Sequence, residues 1–494
     1  MRLSSRPENG SRRPGNKNMG KRITTIFVLI CVLFPAYVHT EPSDDWSAGM
    51  NYFYAQDYEN AVKYLGKAFA AAPSEERKNF LDFASATRDA TKDFLTFENE
   101  KFVLRLHPDD KILNFYAFEA LDAAYDILGG GLGYFPNHKV TVEVYPTAES
   151  FNVASSLSKR DMETSGAIGI CKFNKIMMLS PRCLAFGFRW MDTLTHEYTH
   201  YLIMEKTRNN CPLWLHEGIA KYCETLWRAA PAGKSLFLTP QSKNLLSQNK
   251  DKLISFSRMS PSLVKLNTQE EVALAFAEVS LAVDRIGLPD INKILSALGG
   301  GADIDGAFKK VLGKDVAEFE AVNSSYIAHA GFDETPGAVL DSTKLKSPGV
   351  DEVSEFVPLD AANYISLGDR FVENGMIPAA AEEYRKAEQV EPNNPVVLNK
   401  LAKILFSQGS VEDAILKVKK AAAANPNYVP SYTNLGNFYF YTGRYGDAAS
   451  YYEQSNQINP FNPLIHKNMA GCYEQLKSEK KAEQEYSVVR DLIF

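Results

Sequence analysis

Pro392, Pro426 and Pro460 stand 34 residues apart, and that interval constrains the C-terminal part of this 494-residue chain more than any other feature. A period of this length accommodates two helices and their turns, repeated. If each copy starts 31 residues before its proline, the starts fall at 361, 395, 429 and 463. The columns then agree. The eighth position reads Gly368, Ala402, Gly436, Ala470, and the twentieth Ala380, Ala414, Ala448, Ala482. The eleventh reads Phe371, Leu405, Tyr439, Tyr473, and the twenty-fourth Tyr384, Val418, Tyr452, Tyr486. Small residues recur where two helices of a hairpin must approach closely, and large ones where a side chain fills the gap between hairpins. Proline closes each unit because it cannot continue a helix.

Residues 361–494 resemble the tetratricopeptide repeat family. The resemblance implies an all-α solenoid whose concave face binds a peptide or a protein partner. A fifth copy lies near the N-terminus: counting back from Pro73 puts Gly49, Tyr52, Ala61, Leu65 and Ala68 in the same columns. One hairpin cannot bury its face alone, so residues 41–95 must pack on the middle of the chain. Asp333 to Glu352 is rich in Pro, Gly and Ser and lacks periodicity, which predicts a linker over 333–360. The repeat block is accordingly expected to fold alone, and proteases to cut first between Asp333 and Pro358.

The charge balance, 54 Lys plus Arg against 60 Asp plus Glu, argues against a general nucleic-acid binder, since little would drive counterion release from phosphates. Positive charge does gather at the start: Arg2, Arg6, Arg12, Arg13, Lys17, Lys21 and Arg22 precede the uncharged run Ile23–Val38, and a polar, acidic stretch comes next. That order over residues 1–40 predicts an export signal, cleaved near Ala36 or Thr40 or retained as an N-terminal anchor, and so a periplasmic or secreted protein. Met19 would make a more usual start. In an oxidising compartment Cys171, Cys183, Cys211 and Cys223 are expected to form at least one disulfide, with Cys211 and Cys223 placed to brace the segment between them.

The middle of the chain reads as mixed α and β. Lys101–His107, Lys139–Pro146 and Lys175–Ser180 read as strands, and Asp110–Leu128 as a helix ended by Gly129, Gly130, Gly131 and Gly133. A glycine cluster after a helix and before a strand is in the wrong order for a phosphate-binding turn. His196, Glu197 and His200 then spell H-E-x-x-H on a predicted helix that Asp192 or Thr193 can cap. Residues four apart on a helix face one point, and neutral imidazole nitrogens suit zinc at about 2.0–2.1 Å. Glu197, beside the first ligand, can reach a water held there. Glu217 comes 17 residues after His200, in a second helix start, and places a carboxylate where a third ligand is needed.

His196, Glu197 and His200, followed by Trp214, Glu217, Gly218 and Ala220 in the pattern W-x-x-E-G-x-A, resemble the peptidase MA family of gluzincin metallopeptidases. The resemblance implies an α+β zincin-like metallopeptidase domain over residues 96–332. It implies Zn2+ bound by His196, His200 and Glu217, with Glu217 the third ligand and Glu197 the general base. It also implies that Lys175–Ser180 forms the edge of the cleft and pairs with extended substrate backbone. A tyrosine that steadies the oxyanion in such enzymes is replaced by Phe276, which leaves His216 or Tyr222 as substitutes; His216→Ala is expected to keep the metal. Besides a zinc hydrolase that acts on something other than peptides, two function classes fit these residues. One is an exported zinc metallopeptidase whose repeats recruit substrate or partner proteins. The other is a catalytically inactive, peptidase-like tetratricopeptide scaffold.

Overall fold

The computed structural model describes residues 44–158, 162, 166–228, 235–260, 263, 266–338, 344–348 and 350–493. The expected export segment lies outside them. Among the described residues no helix is long and apolar enough to cross a membrane.

The chain opens with three helices, α1 (Asp45–Tyr54), α2 (Tyr58–Ala71) and α3 (Glu75–Thr91), each started by a side chain that accepts a backbone N–H: Asp44, Asp57 and Ser74. The first two are the expected hairpin. Gly49 is required there, since a Cβ would lie 2.7 Å from Leu65 Cγ. The hairpin buries its face against α3 and against Phe173 of the central sheet. Phe53 makes ring contacts with Phe80 and Phe173 at 5.2 and 5.4 Å. A buried polar joint completes this seam: Tyr58 donates to Glu143 at 3.0 Å, while Arg105 and Lys175 both pair with Glu143.

The sheet holds β1 (Leu95–Glu98), β2 (Phe102–Leu106), β3 (Val140–Tyr145), β4 (Gly169–Lys172) and β5 (Lys175–Leu179) in the order β1-β2-β3-β5-β4. The middle pairings are parallel and the two outer ones antiparallel. This corrects the expectation for Lys175–Ser180. β5 is an interior strand, buried at every position, and among the described strands β4 is the outermost on that side. The cause is the turn at Phe173 and Asn174, both at φ 56°, which folds Gly169–Lys172 back onto β5. Helix α4 (Leu113–Leu132) joins β2 to β3 and runs past its expected end at Leu128. Only Gly133, at φ 66°, takes the left-handed conformation that stops it. After α5 (Ala148–Ser155) come the helices that build the site and its support: α6 (Trp190–Thr207), α7 (Leu213–Cys223), α8 (Pro240–Gln248), α9 (Gln269–Ile286), α10 (Leu288–Gly299), α11 (Ile304–Leu312) and α12 (Val316–His329).

Cys171, Cys183, Cys211 and Cys223 are thiols, not disulfides, which overturns the expected bridge. Cys211 and Cys223 sit at opposite ends of α7. The helix between them has eleven residues and is about 16 Å long, against a Cα separation of at most about 7 Å that a disulfide tolerates.

A short helix, α13 (Glu352–Phe356), precedes four hairpins, and each hairpin starts within two residues of 361, 395, 429 or 463, the starts that the proline period sets. They are α14 (Leu359–Glu373) with α15 (Ile377–Val390), α16 (Pro395–Ser407) with α17 (Val411–Ala424), α18 (Val429–Tyr441) with α19 (Tyr445–Asn456), and α20 (Pro463–Gln475) with α21 (Glu479–Ile493). A Cβ on Gly368 or Gly436 would lie 2.4 Å from Cε1 of Tyr384 or Tyr452. The small eighth column thus exists to seat the large twenty-fourth.

The block docks on the middle of the chain. Thr335 and Asn244 exchange hydrogen bonds at 2.8 and 3.1 Å, and Ala185 N and Lys346 N bond to Lys344 O and Cys183 O. The described parts of the linker are therefore tied down. In the last repeat, fully buried His466 bonds through Nδ1 to Glu485 at 2.6 Å and through Nε2 to Pro460 O at 2.7 Å. Tyr116 of α4 donates to the same Glu485 at 3.0 Å. Tyr116→Phe should destabilise the full chain by about 1.5–3 kcal/mol, the usual worth of a hydrogen bond to a charged group. Chemical denaturation of the two proteins checks this; an unchanged midpoint would show that the joint contributes nothing.

Candidate metal centre

Helix α6 carries His196, Glu197 and His200, and α7 crosses it to bring Glu217 to the same point. The ring atoms His196 Nε2 and His200 Nε2 are 3.1 Å apart, and Glu217 Oε2 lies 3.4 and 3.3 Å from them. A tetrahedral ion with bonds of about 2.0–2.1 Å separates its ligand atoms by roughly 3.3–3.4 Å. The three atoms stand at that spacing, and these residues form a group of His, Cys, Asp and Glu side chains able to hold a metal ion. Two histidines and one glutamate are a donor set of the type found in catalytic zinc sites.

Local packing explains the convergence. Tyr198, Tyr201 and Leu202 bury the opposite side of α6, while the hydroxyls of Thr195 and Thr199 bond back to Met191 O and Thr195 O. The expected cap does not form. Arg189 occupies the cap position without a side-chain bond to the helix, and Asp192 turns instead to Trp227 Nε1 at 2.9 Å and Arg228 at 2.6 Å. The first turn of α6 is held from outside, by turns of the repeat block. Arg189 donates to Pro426 O at 2.6 Å, Asn427 at 3.0 Å and Gln457 at 3.2 Å, and Trp190 Nε1 donates to Asn456 O at 3.2 Å.

The other motif residues are packing residues. A Cβ on Gly218 would stand 2.7 Å from Val279 O, so glycine lets α7 lie against α9. Trp214 stacks on Phe256, with centroids 4.1 Å apart and planes 11° apart. Ala220 is fully buried.

Glu197 is only 5% exposed and outside the ligand set. Its Oε2 lacks a hydrogen-bond partner among the described residues. Its other oxygen lies under the edge strand, where a Cβ on Gly169 would be 2.6 Å from Oε1. Burial raises the Glu197 pKa, opposed by His200 and His196. For Glu217 burial pushes the same way, yet His200 and His196 prevail and hold its carboxyl well below the usual range.

Two supports were not foreseen. Glu224 Oε2 lies 3.2 Å from His196 Nδ1, and Lys221 pairs with its other oxygen. His216 meets His200 through the Nδ1 atoms of both rings. Burial opposes protonation of His196, but its bonds to Glu217 and Glu224 bring its pKa up to about 10. Burial, with His200 beside it, takes His216 down to about 3, so this ring is neutral. Of the two residues offered in place of the missing tyrosine, the structure brings His216 to the ligands. Tyr222 pairs instead with Phe237 at 5.2 Å and lies beside Asp284, while Phe276 packs half-buried against the core.

Comparisons with known proteins address the repeats. Residues 368–409 match a family described as TPR repeat, and 429–462 one described as Tetratricopeptide repeat. Small glutamine-rich tetratricopeptide repeat-containing protein 2 of Mycosarcoma maydis is 33% identical over 104 residues, covering 21% of this chain and 30% of that protein. Probable UDP-N-acetylglucosamine–peptide N-acetylglucosaminyltransferase SPINDLY of Hordeum vulgare is 32% identical over 177 residues, covering 34% of this chain and 18% of that one. The chain thus spans less than a third of the length of either relative. Among solved structures, one titled "Crystal structure of MamA" covers 27% of this chain and 78% of its own, at 20% identity and a TM-score of 0.26. A structure titled "Functional Characterization of Pseudomonas Aeruginosa pilF" covers 27% and 60%, at 25% identity and a TM-score of 0.26. The two family matches show that the C-terminal block carries tetratricopeptide repeats, an architecture for binding other proteins.

Proposed function

We propose that this chain is an exported zinc-dependent metallopeptidase of the gluzincin kind, whose tetratricopeptide repeats bring protein substrates or partners to it. The observation that carries this reading is the spacing of His196 Nε2, His200 Nε2 and Glu217 Oε2, 3.1–3.4 Å apart on two crossing helices. Zinc bound there supplies Lewis acidity, polarising a scissile carbonyl and lowering the pKa of water towards about 7. The protein does the rest. Glu197 accepts a proton from the attacking water at its carboxylate and passes it to the leaving amine nitrogen. Its nearly complete burial keeps that proton from bulk solvent. β4, the outermost described strand on its side of the sheet, lies directly over Glu197, and an extended substrate backbone is read as running alongside it. The basic and apolar N-terminal segment supports export, with membrane contact only through that segment.

A second reading is a protein-binding scaffold whose peptidase-like domain performs no chemistry. The family matches favour it, because the residues they cover, 368–409 and 429–462, lie in the repeats. Hydrolysis of casein or a peptide library by the zinc-loaded full chain separates the two. The enzyme reading expects cleavage that stops on chelation, returns with zinc and is lost in His200→Ala. One bound zinc per chain with no cleavage would leave the scaffold.

A further inference from the structure

Both proposed histidine ligands lean on α7, but on partners of different kinds. His196 Nδ1 faces the carboxylate of Glu224 at 3.2 Å. His200 Nδ1 faces another imidazole nitrogen, His216 Nδ1, with ring centroids 4.5 Å apart and planes inclined by 26°. Two nearly coplanar rings in contact through one nitrogen each need a single proton between them. The other nitrogen of His200 decides who holds it. Its Nε2 lies 3.1 Å from His196 Nε2 and 3.3 Å from Glu217 Oε2, where its lone pair is needed for a metal. A neutral imidazole carries one N–H, so the proton sits on His200 Nδ1 and His216 Nδ1 accepts it.

We propose that His216 is a positioning residue of the metal centre: by accepting the Nδ1 proton of His200, it holds that ring as an Nε2 ligand and fixes its plane. This rests on the zinc reading of the site and adds to it a residue that H-E-x-x-H and the third glutamate do not contain. Helix α7 then serves the centre three times. Glu217 is a ligand, His216 one residue earlier supports His200, and Glu224 seven residues later, about 20° around the helix, supports His196. Outer partners of this type are commonly worth 10–100-fold in metal affinity.

The test is the zinc dissociation constant of the full chain, measured by competition with a chromophoric chelator, for wild type, His216→Phe and His216→Asn. Phenylalanine keeps a flat ring without an acceptor. Asparagine returns an acceptor oxygen close to the position of Nδ1. In place of the expectation from sequence that removing the His216 ring leaves the metal untouched, His216→Phe should weaken zinc binding about 10–100-fold, and His216→Asn should recover most of that loss. The melting temperatures of the three metal-free proteins should agree. Wild-type affinity in His216→Phe would overturn the proposal, and so would equal weakening in both variants, which marks a packing role. If wild type itself takes up no zinc, the metal-centre reading fails first and the role of His216 fails with it.

Discussion

Glu197→Gln should lower peptide turnover by at least about 10²-fold, the lower end of what a general base contributes, while zinc stoichiometry stays at the wild-type level. The two readouts separate because Glu197 stands next to a ligand without being one. Glutamine keeps the shape of the side chain in a pocket where the native residue is 5% exposed, and it removes only the capacity to hold a proton. Activity assays paired with zinc emission measurements on the same preparation check this. Loss of zinc in Glu197→Gln would mean that the side chain coordinates or supports the metal, and its assigned role would be wrong.

Gly169→Ala should have a comparable effect for a steric reason. The added methyl would stand 2.6 Å from Glu197 Oε1, 2.8 Å from Cγ and 2.9 Å from Cδ. The obstructed atoms form the end of a flexible side chain, so the fold can yield at little cost in stability. The carboxylate cannot yield and remain in place. A shift of about 1 Å in a catalytic group can cost on the order of 10²-fold in rate. Gly169→Ala is therefore expected to keep its melting temperature and its zinc and to lose most of its turnover. Full activity would show that Glu197 works from another position, away from β4.

How far the fold was legible depended on how local its causes are. The repeats were readable because each column states a contact within its own hairpin: glycine at 368 and 436 makes room for tyrosine at 384 and 452. The ligand trio was readable because helix periodicity aims His196 and His200 together and a second motif supplies Glu217. Glu224 carried a signal that went unused, a carboxylate seven residues past Glu217 and so on the same face of α7. His216 carried none, since its contact with His200 exists only through the crossing of α6 and α7. The edge strand was misplaced because β4 has four residues, too few to show alternation, and because its turn uses Phe173 and Asn174 where glycine would have announced it. Of the pairings open to the four cysteines, Cys211 with Cys223 takes nearness in sequence for nearness in space, which the intervening helix denies. The docking of the repeats on the first turn of α6 rests on backbone carbonyls at Pro426 and Asn456, groups that every sequence possesses.

The central claim is that His196, His200 and Glu217 form a zinc centre, and zinc content per chain tests it most directly. Atomic emission on the full-length protein, purified without added metal chelators and dialysed, should find close to one zinc per chain in wild type and a loss of that zinc in Glu217→Ala, since the two remaining ligands compete poorly for the ion. Wild-type protein free of zinc after incubation with it, or Glu217→Ala retaining it in full, would contradict the account.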